Sequence, residues 1–289
     1  MDFYLTALLL GLCYSAIALG IYISMKIFNI PDITTDGSYT LGGAFTGVLL
    51  LHNQPTYIVL PVVIFAGAIA GALTGIIHTK LKINALLAGI LVMTALYSIN
   101  LKLMGRSNIP LNSKPTIFSL LNLVNNPNQN TFWILLAFVA LITLIIGYLL
   151  KTDFGIAMRA TGNSESMIRA LGVNTDRMKI TGLAIANALT ATSGYLMTQY
   201  QGFADISMGI GIVIYGLGSV IIAEAFINWF RVTSIWLSLV LVLFGAIIFQ
   251  FVLAFTLSIG VDATLLKLVT AVFVLLIVSL PRLTYNRSL

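Results

Sequence analysis

The stretch Phe3 to Met25, FYLTALLLGLCYSAIALGIYISM, carries no charged side chain and is long enough, as an α-helix, to cross a lipid bilayer. Roughly 20 apolar residues, each rising 1.5 Å, span the ~30 Å hydrocarbon core. Asp2 stands where a secretory signal would carry positive charge, and the run exceeds a typical signal-peptide apolar region, so the segment reads as a retained helix. Further apolar runs follow at approximately Gly37 to Leu51, Tyr57 to Ile77, Ile83 to Leu101, Phe132 to Leu150, Ile180 to Tyr200, Met208 to Asn228, Val232 to Leu257 and Leu265 to Leu280. The long uncharged runs lack the polar face of a soluble amphipathic helix. The expected fold is therefore an all-α membrane protein of about nine transmembrane segments, forming one domain over residues 1–289. The run from Gly37 is short and Gly-rich, and it either crosses or re-enters; the side of the N-terminus depends on which.

Composition agrees. Hydrophobic residues make up 59% and charged residues 8% of the chain, against about 45–50% and about 25% in soluble domains. The net charge of +6 does not point to nucleic acid, because Lys and Arg lie between apolar runs rather than in a stripe interleaved with aromatics. They act instead as topology signals, since positive loops stay cytoplasmic. If all nine segments cross, eleven of them collect on one side (Lys26, Lys80, Lys82, Lys151, Arg159, Arg169, Arg177, Lys179, Arg231, Arg282 and Arg287) and three on the other (Lys102, Arg106 and Lys114). This places the 151–179 loop and the C-terminus in the cytoplasm and the 102–131 loop outside. The latter, rich in Asn with Pro110, Pro115 and Pro127, reads as irregular surface.

Catalytic motifs are missing. His52 and His78 are the only histidines and neither belongs to H-E-x-x-H; no serine sits in G-x-S-x-G, and G-x-x-x-x-G-K-[ST] does not occur. Cys13, the lone cysteine, can form no intrachain disulfide or cysteine-built metal site. The chain is expected to be no enzyme and to hold no cofactor or metal of its own; ATP hydrolysis, if used, must occur on another chain.

Two segments echo each other. Asp32-Ile33-Thr34 precedes Gly37, Gly42 and Gly43, and Asp205-Ile206-Ser207 precedes Gly209, Gly211, Gly216 and Gly218. With nine crossings they fall on opposite sides, as inverted-topology repeats with broken Gly-rich helices require. Such interruptions mark a transporter's solute path. Asp32, Thr34, Gly37, Gly42, Gly43, Asp205, Ser207, Gly209 and Gly211 are the candidate pathway residues. Gly67, Gly71 and Gly75 form overlapping G-x-x-x-G steps suited to close helix packing. Glu224 is an acid well inside an apolar run; its position seven residues before Arg231 predicts a pair with that residue or a carboxylate reaching the interface. Asn100, Asn187, Gln199 and Gln250 suit interhelical hydrogen bonds or solute contacts.

Within the 151–179 loop, Asn163 or Ser164 can cap a helix, Glu165 suits its first turn, and Gly172 suits a left-handed position after its end. The enclosed two turns, Ser164 to Leu171, are too short to span and suit the membrane surface. Thr175 and Asp176 start the next helix.

Gly155 to Lys179, GIAMRATGNSESMIRALGVNTDRMK, resembles the cytoplasmic loop of ABC importer permeases of the branched-chain amino-acid and ribose type. Arg159, Ala160, Gly162, Glu165, Arg169, Gly172, Val173 and Asn174 carry the match; Ser166 and Met167 stand where the family usually has two alanines. Ile30 to Gly43 resembles the family's G-[IV]-D-[LI]-S-x-G element, and Tyr215 to Phe226, YGLGSVIIAEAF, its Gly-rich late helix. The resemblance implies the permease subunit of an ATP-driven importer in a bacterial inner membrane. It implies partners: a separate ABC ATPase that carries ATP and magnesium, an external solute-binding protein and a second permease copy, a homodimer or else a heterodimer. Arg159, Gly162, Glu165, Arg169 and Gly172 would then serve ATPase coupling. An amino acid is the first solute expected, with sugars and nucleosides next. An ion-coupled secondary transporter is the alternative, although it would normally need more buried acids.

Overall fold

The computed structural model describes residues 2–285 except 113, 123, 263 and 264; Arg287, one of the topology signals, lies outside them. In chain order the helices are α1 (Asp2–Ile21), prolonged by π-helical turns over Tyr22–Ile27, α2 (Thr34–Leu51), α3 (Thr56–Lys80), α4 (Ala85–Met104), α5 (Ile117–Leu120), α6 (Pro127–Lys151), α7 (Asp153–Asn163), α8 (Glu165–Ala170), α9 (Thr175–Gln201), α10 (Ile212–Trp229), α11 (Ile235–Ser258) and α12 (Leu266–Tyr285). All nine expected runs fall on helices. Among the described residues, six stretches are long and apolar enough to cross a membrane: Phe3–Ile27, Thr56–Lys80, Ala85–Met104, Pro127–Lys151, Ile212–Trp229 and Ile235–Ser258.

Helices α2 and α9 fall outside that set for a physical reason. Both lie inside the bundle, and from Leu189 to Gln199 every residue of α9 is buried. A helix shielded from lipid has no need of apolar side chains all round, provided its polar groups find partners. Here they bond back to their own helix: Thr40 donates to the Asp36 carbonyl, Thr46 to Gly42, Thr190 to Ala186 and Thr192 to Ala188. Helices α1 and α3 pack on α9, and α3 and α4 on α2. As the G-x-x-x-G spacing predicts, Gly67, Gly71 and Gly75 of α3 face the α9 backbone, where a Cβ would stand 2.6 Å from the Asn187 oxygen, 2.1 Å from that of Leu183 and 2.7 Å from the Ile180 Cα.

The segment between α4 and α6 is less irregular than its composition suggests. Asn108–Pro110 forms a strand, β1, antiparallel to β2 at Phe203–Asp205, with Ile109 opposite Ala204. Ile109 and Leu111 are buried, and α6 starts at Pro127, earlier than expected, with Asn126 accepting from the Asn128 amide. Two three-residue strands thus join an otherwise helical fold. Their pairing ties together segments distant in sequence, which no local pattern announces.

Candidate functional site

Two regions hold the residues singled out by sequence. The first lies beside α2. Asp32 accepts from the Thr34 amide at 2.9 Å, and Asp205 accepts from the Ser207 amide at 2.8 Å and from its hydroxyl, so the two echoed motifs share one local turn. Burial raises the Asp205 carboxyl, but the hydrogen bonds from Ser207 and Asn108 outweigh it and leave it below the usual aspartate range.

The tertiary structure brings the two motifs into contact. Gly47 of α2 packs against Ala204 and Ile109, whereas Gly209 packs against Asp36 and Thr40, and Gly43 against Met208. From Gly47 back to Asp36 is about 16 Å along the helix at 1.5 Å per residue. Residues 204–211 therefore descend alongside α2 before α10 begins. At the foot of this descent Asp36 Oδ2 accepts from the Gly211 amide at 3.0 Å and Oδ1 from the Val213 amide at 2.9 Å, so a carboxylate of α2 caps the N-terminus of α10. Asp36 was not among the expected site residues. Its only local signal was an acid in the first turn of a Gly-rich helix, and its true partners come from 175 positions away.

Behind this contact is a buried polar cluster. Asn187 of α9 donates to Asp32 Oδ2 at 2.6 Å and accepts from the Ser38 hydroxyl at 2.7 Å; Thr34 bonds Thr74 of α3 at 2.7 Å; Asn100 of α4 donates to the Gly37 carbonyl at 3.2 Å. These polar residues hold helices together. Of the candidate pathway residues, Asp32, Thr34, Gly37, Gly42, Gly43 and Gly209 are buried, while Asp205, Ser207 and Gly211 retain exposure. Gln199 accepts from the Ile117 amide at 2.8 Å and so fixes α5.

The second region is the 151–179 segment. Sequence reading expected one short helix here; the structure has two. Thr152 opens α7 by accepting from the Gly155 amide, and Arg159, Ala160 and Gly162 lie on this helix. Gly162 packs directly on the Ile27 backbone, and its carbonyl accepts from the Asn29 side chain at 3.2 Å. Space for a side chain is absent, so Gly162 serves close packing. Arg159 is half-buried, and its Nε has no partner among the described residues.

Helix α8 covers Glu165–Ala170, one residue shorter at each end than expected; Ser164 occupies the cap position without a side-chain bond, and Gly172 has φ +86°. Ile168 is buried while Met167 and Leu171 are 59% and 70% exposed. Arg169 does not project freely: its Nη2 donates to Glu165 Oε1 at 3.0 Å, Thr175 Oγ1 at 2.7 Å and Asp176 Oδ1 at 3.0 Å. Lys179 donates to Glu165 Oε2 at 2.5 Å and, more than any other contact, holds that carboxyl below the usual glutamate range. Glu165 and Lys179 also line a cavity of about 330 Å³, with Asn29, His78, Asn84 and Gly162 around it.

Glu224 pairs with Lys26 at 2.9 Å, not with Arg231. Helix α10 ends at Trp229 and Arg231 sits at φ +50°, so the helical register that would place it on the Glu224 face is lost. Lys26, on the π-helical turns after α1, supplies the charge instead. Among the described residues no group of three or more His, Cys, Asp or Glu side chains could hold a metal ion.

Comparison with known proteins matches this architecture. A tyrosine transport system permease protein of Clostridioides difficile is 40% identical over 265 residues, covering 92% of this chain and 86% of that protein. A ribose import permease protein of Haemophilus influenzae is 24% identical over 212 residues, 71% of this chain and 64% of that protein. The fold also resembles a solved structure described as an inward-facing conformation of a metal-chelate type ABC transporter, with TM-score 0.52 and 18% identity over 98% of this chain and 85% of that one. The family model for the permease component of branched-chain amino acid transport systems matches residues 3–279, and the chain belongs to that family of ABC importer permeases.

Proposed function

We propose that this chain is the membrane subunit through which an ATP-driven importer passes an amino acid, with an aromatic amino acid of tyrosine type as the first candidate. The carrying observation is 40% identity, over 92% of the chain, to a tyrosine transport permease. The test is reconstitution of the chain with its ATPase and binding protein in liposomes. Tyrosine uptake should require ATP and survive collapse of ion gradients, with ribose a poor competitor. Uptake driven by a proton or sodium gradient without the ATPase would instead establish a secondary transporter.

The importer works in a bacterial inner membrane as two copies related by C₂ symmetry, with the 151–179 segment and the C-terminus cytoplasmic and the 102–131 segment external. Matching turns at Asp32 and Asp205, each ahead of a Gly-rich helix, support inverted-topology repeats across nine segments. The solute path follows the descending segment, where Ser207 and Ile210 are exposed, and α4, which packs on α2 and exposes Thr94, Tyr97 and Ser98.

Coupling is assigned to α8, and two exposed apolar side chains support a docking surface on it. Arg169 is engaged within the chain, so reversing its charge would disturb α8 itself. Met167 and Leu171 are four residues apart on the helix and exposed, and they form the apolar docking face for the ATPase. Met167→Asp and Leu171→Asp each place a carboxylate against the partner. An uncompensated buried charge costs about 3–5 kcal/mol, which is roughly 100-fold or more in affinity. Co-purification of the ATPase should collapse in both variants while the permease inserts normally; unchanged recovery of the ATPase would assign docking elsewhere.

A further inference from the structure

Helix α8 has six residues, too few to be stiff or stable alone. It joins α9 through a four-residue turn containing Gly172 in the left-handed region, stitched by the Val173 amide to the Ile168 carbonyl at 3.3 Å and the Gly172 amide to Arg169 at 3.1 Å. Such a turn is a natural pivot. A push on α8 would be absorbed there unless other contacts close the angle between the helices.

An ionic clamp spans the pivot. Lys179 lies one turn into α9, and its side chain is only 15% exposed, with the ammonium 2.5 Å from Glu165 Oε2. The other Glu165 oxygen receives Arg169 at 3.0 Å and Thr175 at 3.2 Å; Arg169 also reaches Asp176, and Asp176 meets Lys80 at the end of α3 at 3.6 Å. Single exposed ion pairs contribute little, but a network of charges fixed on three helices, with Lys179 the most sheltered of them, is a geometric restraint. Two turns further along α9, Asn187 bonds Asp32 and Ser38. A displacement of α9 therefore reaches α2 and the segment descending beside it.

We propose that Lys179 is a positioning residue: by holding Glu165 it makes α8 and the start of α9 one rigid body, so that motion imposed on α8 is delivered to the membrane helices instead of being lost in the Gly172 turn. This rests on the reading of the chain as an ATP-driven importer permease. Glu165 is accordingly engaged in the clamp through both oxygens, and docking is left to Met167 and Leu171.

The test uses the full importer in proteoliposomes and measures solute moved per ATP hydrolysed, together with ATPase co-purification. In Lys179→Met that ratio should fall roughly 2- to 30-fold, the range for residues along a coupling network, while the ATPase still co-purifies. Lys179→Arg, which keeps the charge and the reach, should restore it. Glu165→Cys with Lys179→Cys in a Cys13→Ala background should couple poorly until a short thiol-to-thiol crosslinker joins the pair, and should then recover. An unchanged ratio in Lys179→Met, loss of ATPase binding in that variant, or a crosslink that blocks transport would each overturn the proposal. Should Lys179→Met fail to insert, the crosslinked pair decides alone. Wild-type liposomes that import nothing under ATP would refute the importer reading instead, which separates the two failures.

Discussion

Replacing Gly42 with valine should leave almost no folded protein in detergent extracts. A Cβ at Gly42 would stand 2.0 Å from the Ala191 carbonyl oxygen and 2.7 Å from its carbon, and at the neighbouring contact a Cβ on Gly194 would stand 2.1 Å from the Tyr39 oxygen. The obstacles are backbone atoms of two helices inside the bundle, so no side chain can rotate aside. Helices α2 and α9 would have to separate, which would also break the 2.7 Å bond between Ser38 and Asn187. Overpacking a core costs about 1–3 kcal/mol and occasionally more; a clash with rigid backbone belongs at the upper end or beyond, against a total stability of about 5–15 kcal/mol. Gly105→Ala supplies the control. Gly105 has φ +65° and open space where a Cβ would stand, with nothing within 4 Å, so its cost is only the left-handed backbone, about 1–2 kcal/mol. The monodisperse fraction and the thermal midpoint measure both variants. Equal midpoints for the two would show that α2 and α9 do not meet in this way.

Asp36→Ala is expected to lower both stability and transport, because it strands the Gly211 and Val213 amides that the carboxylate now accepts at 3.0 and 2.9 Å. Each orphaned donor away from water costs about 1–3 kcal/mol. Removing an anion from the start of α10 forfeits a further ~0.3–1 kcal/mol of favourable interaction with the helix dipole. Asp36→Asn keeps one acceptor oxygen and should fall between wild type and alanine. The effect on transport follows from position: the capped turn is where the descending segment ends, so loosening it frees that irregular stretch beside α2. Melting of the three proteins, read beside solute uptake, should give the order wild type, asparagine, alanine in both measurements. A variant Asp36→Ala that melts and transports like wild type would mean the cap carries no weight.

Much of the architecture of the 151–179 segment was legible locally. Glu165, Gly172 and the short helix between them were readable because capping and left-handed turns depend on residues within a few positions. Helix α7 was missed although Thr152 and Asp153 announce its start, because its apolar residues blend into the end of α6. The partner of Glu224 escaped the sequence for another reason. Spacing along one helix suggested Arg231, but the partner came from the turns after α1. Long side chains choose among all charges within reach, and reach in space is not separation along the chain.

The sequence by itself determined the solvent and the class of fold, since apolar runs of membrane length with few charges have no other stable environment, and its local motifs carried the family. Packing of α3 on α9 was also written in it, because small residues repeating every four positions line one helix face. Only the tertiary structure decided which helices lie inside: α2 and α9 can carry more polar side chains than the other long helices because neighbouring helices shield them. It alone placed Asp36 under α10, paired β1 with β2 and set residues 204–211 descending beside α2. Those contacts join backbone groups far apart in the chain, and a backbone amide looks the same in sequence whichever partner it will find.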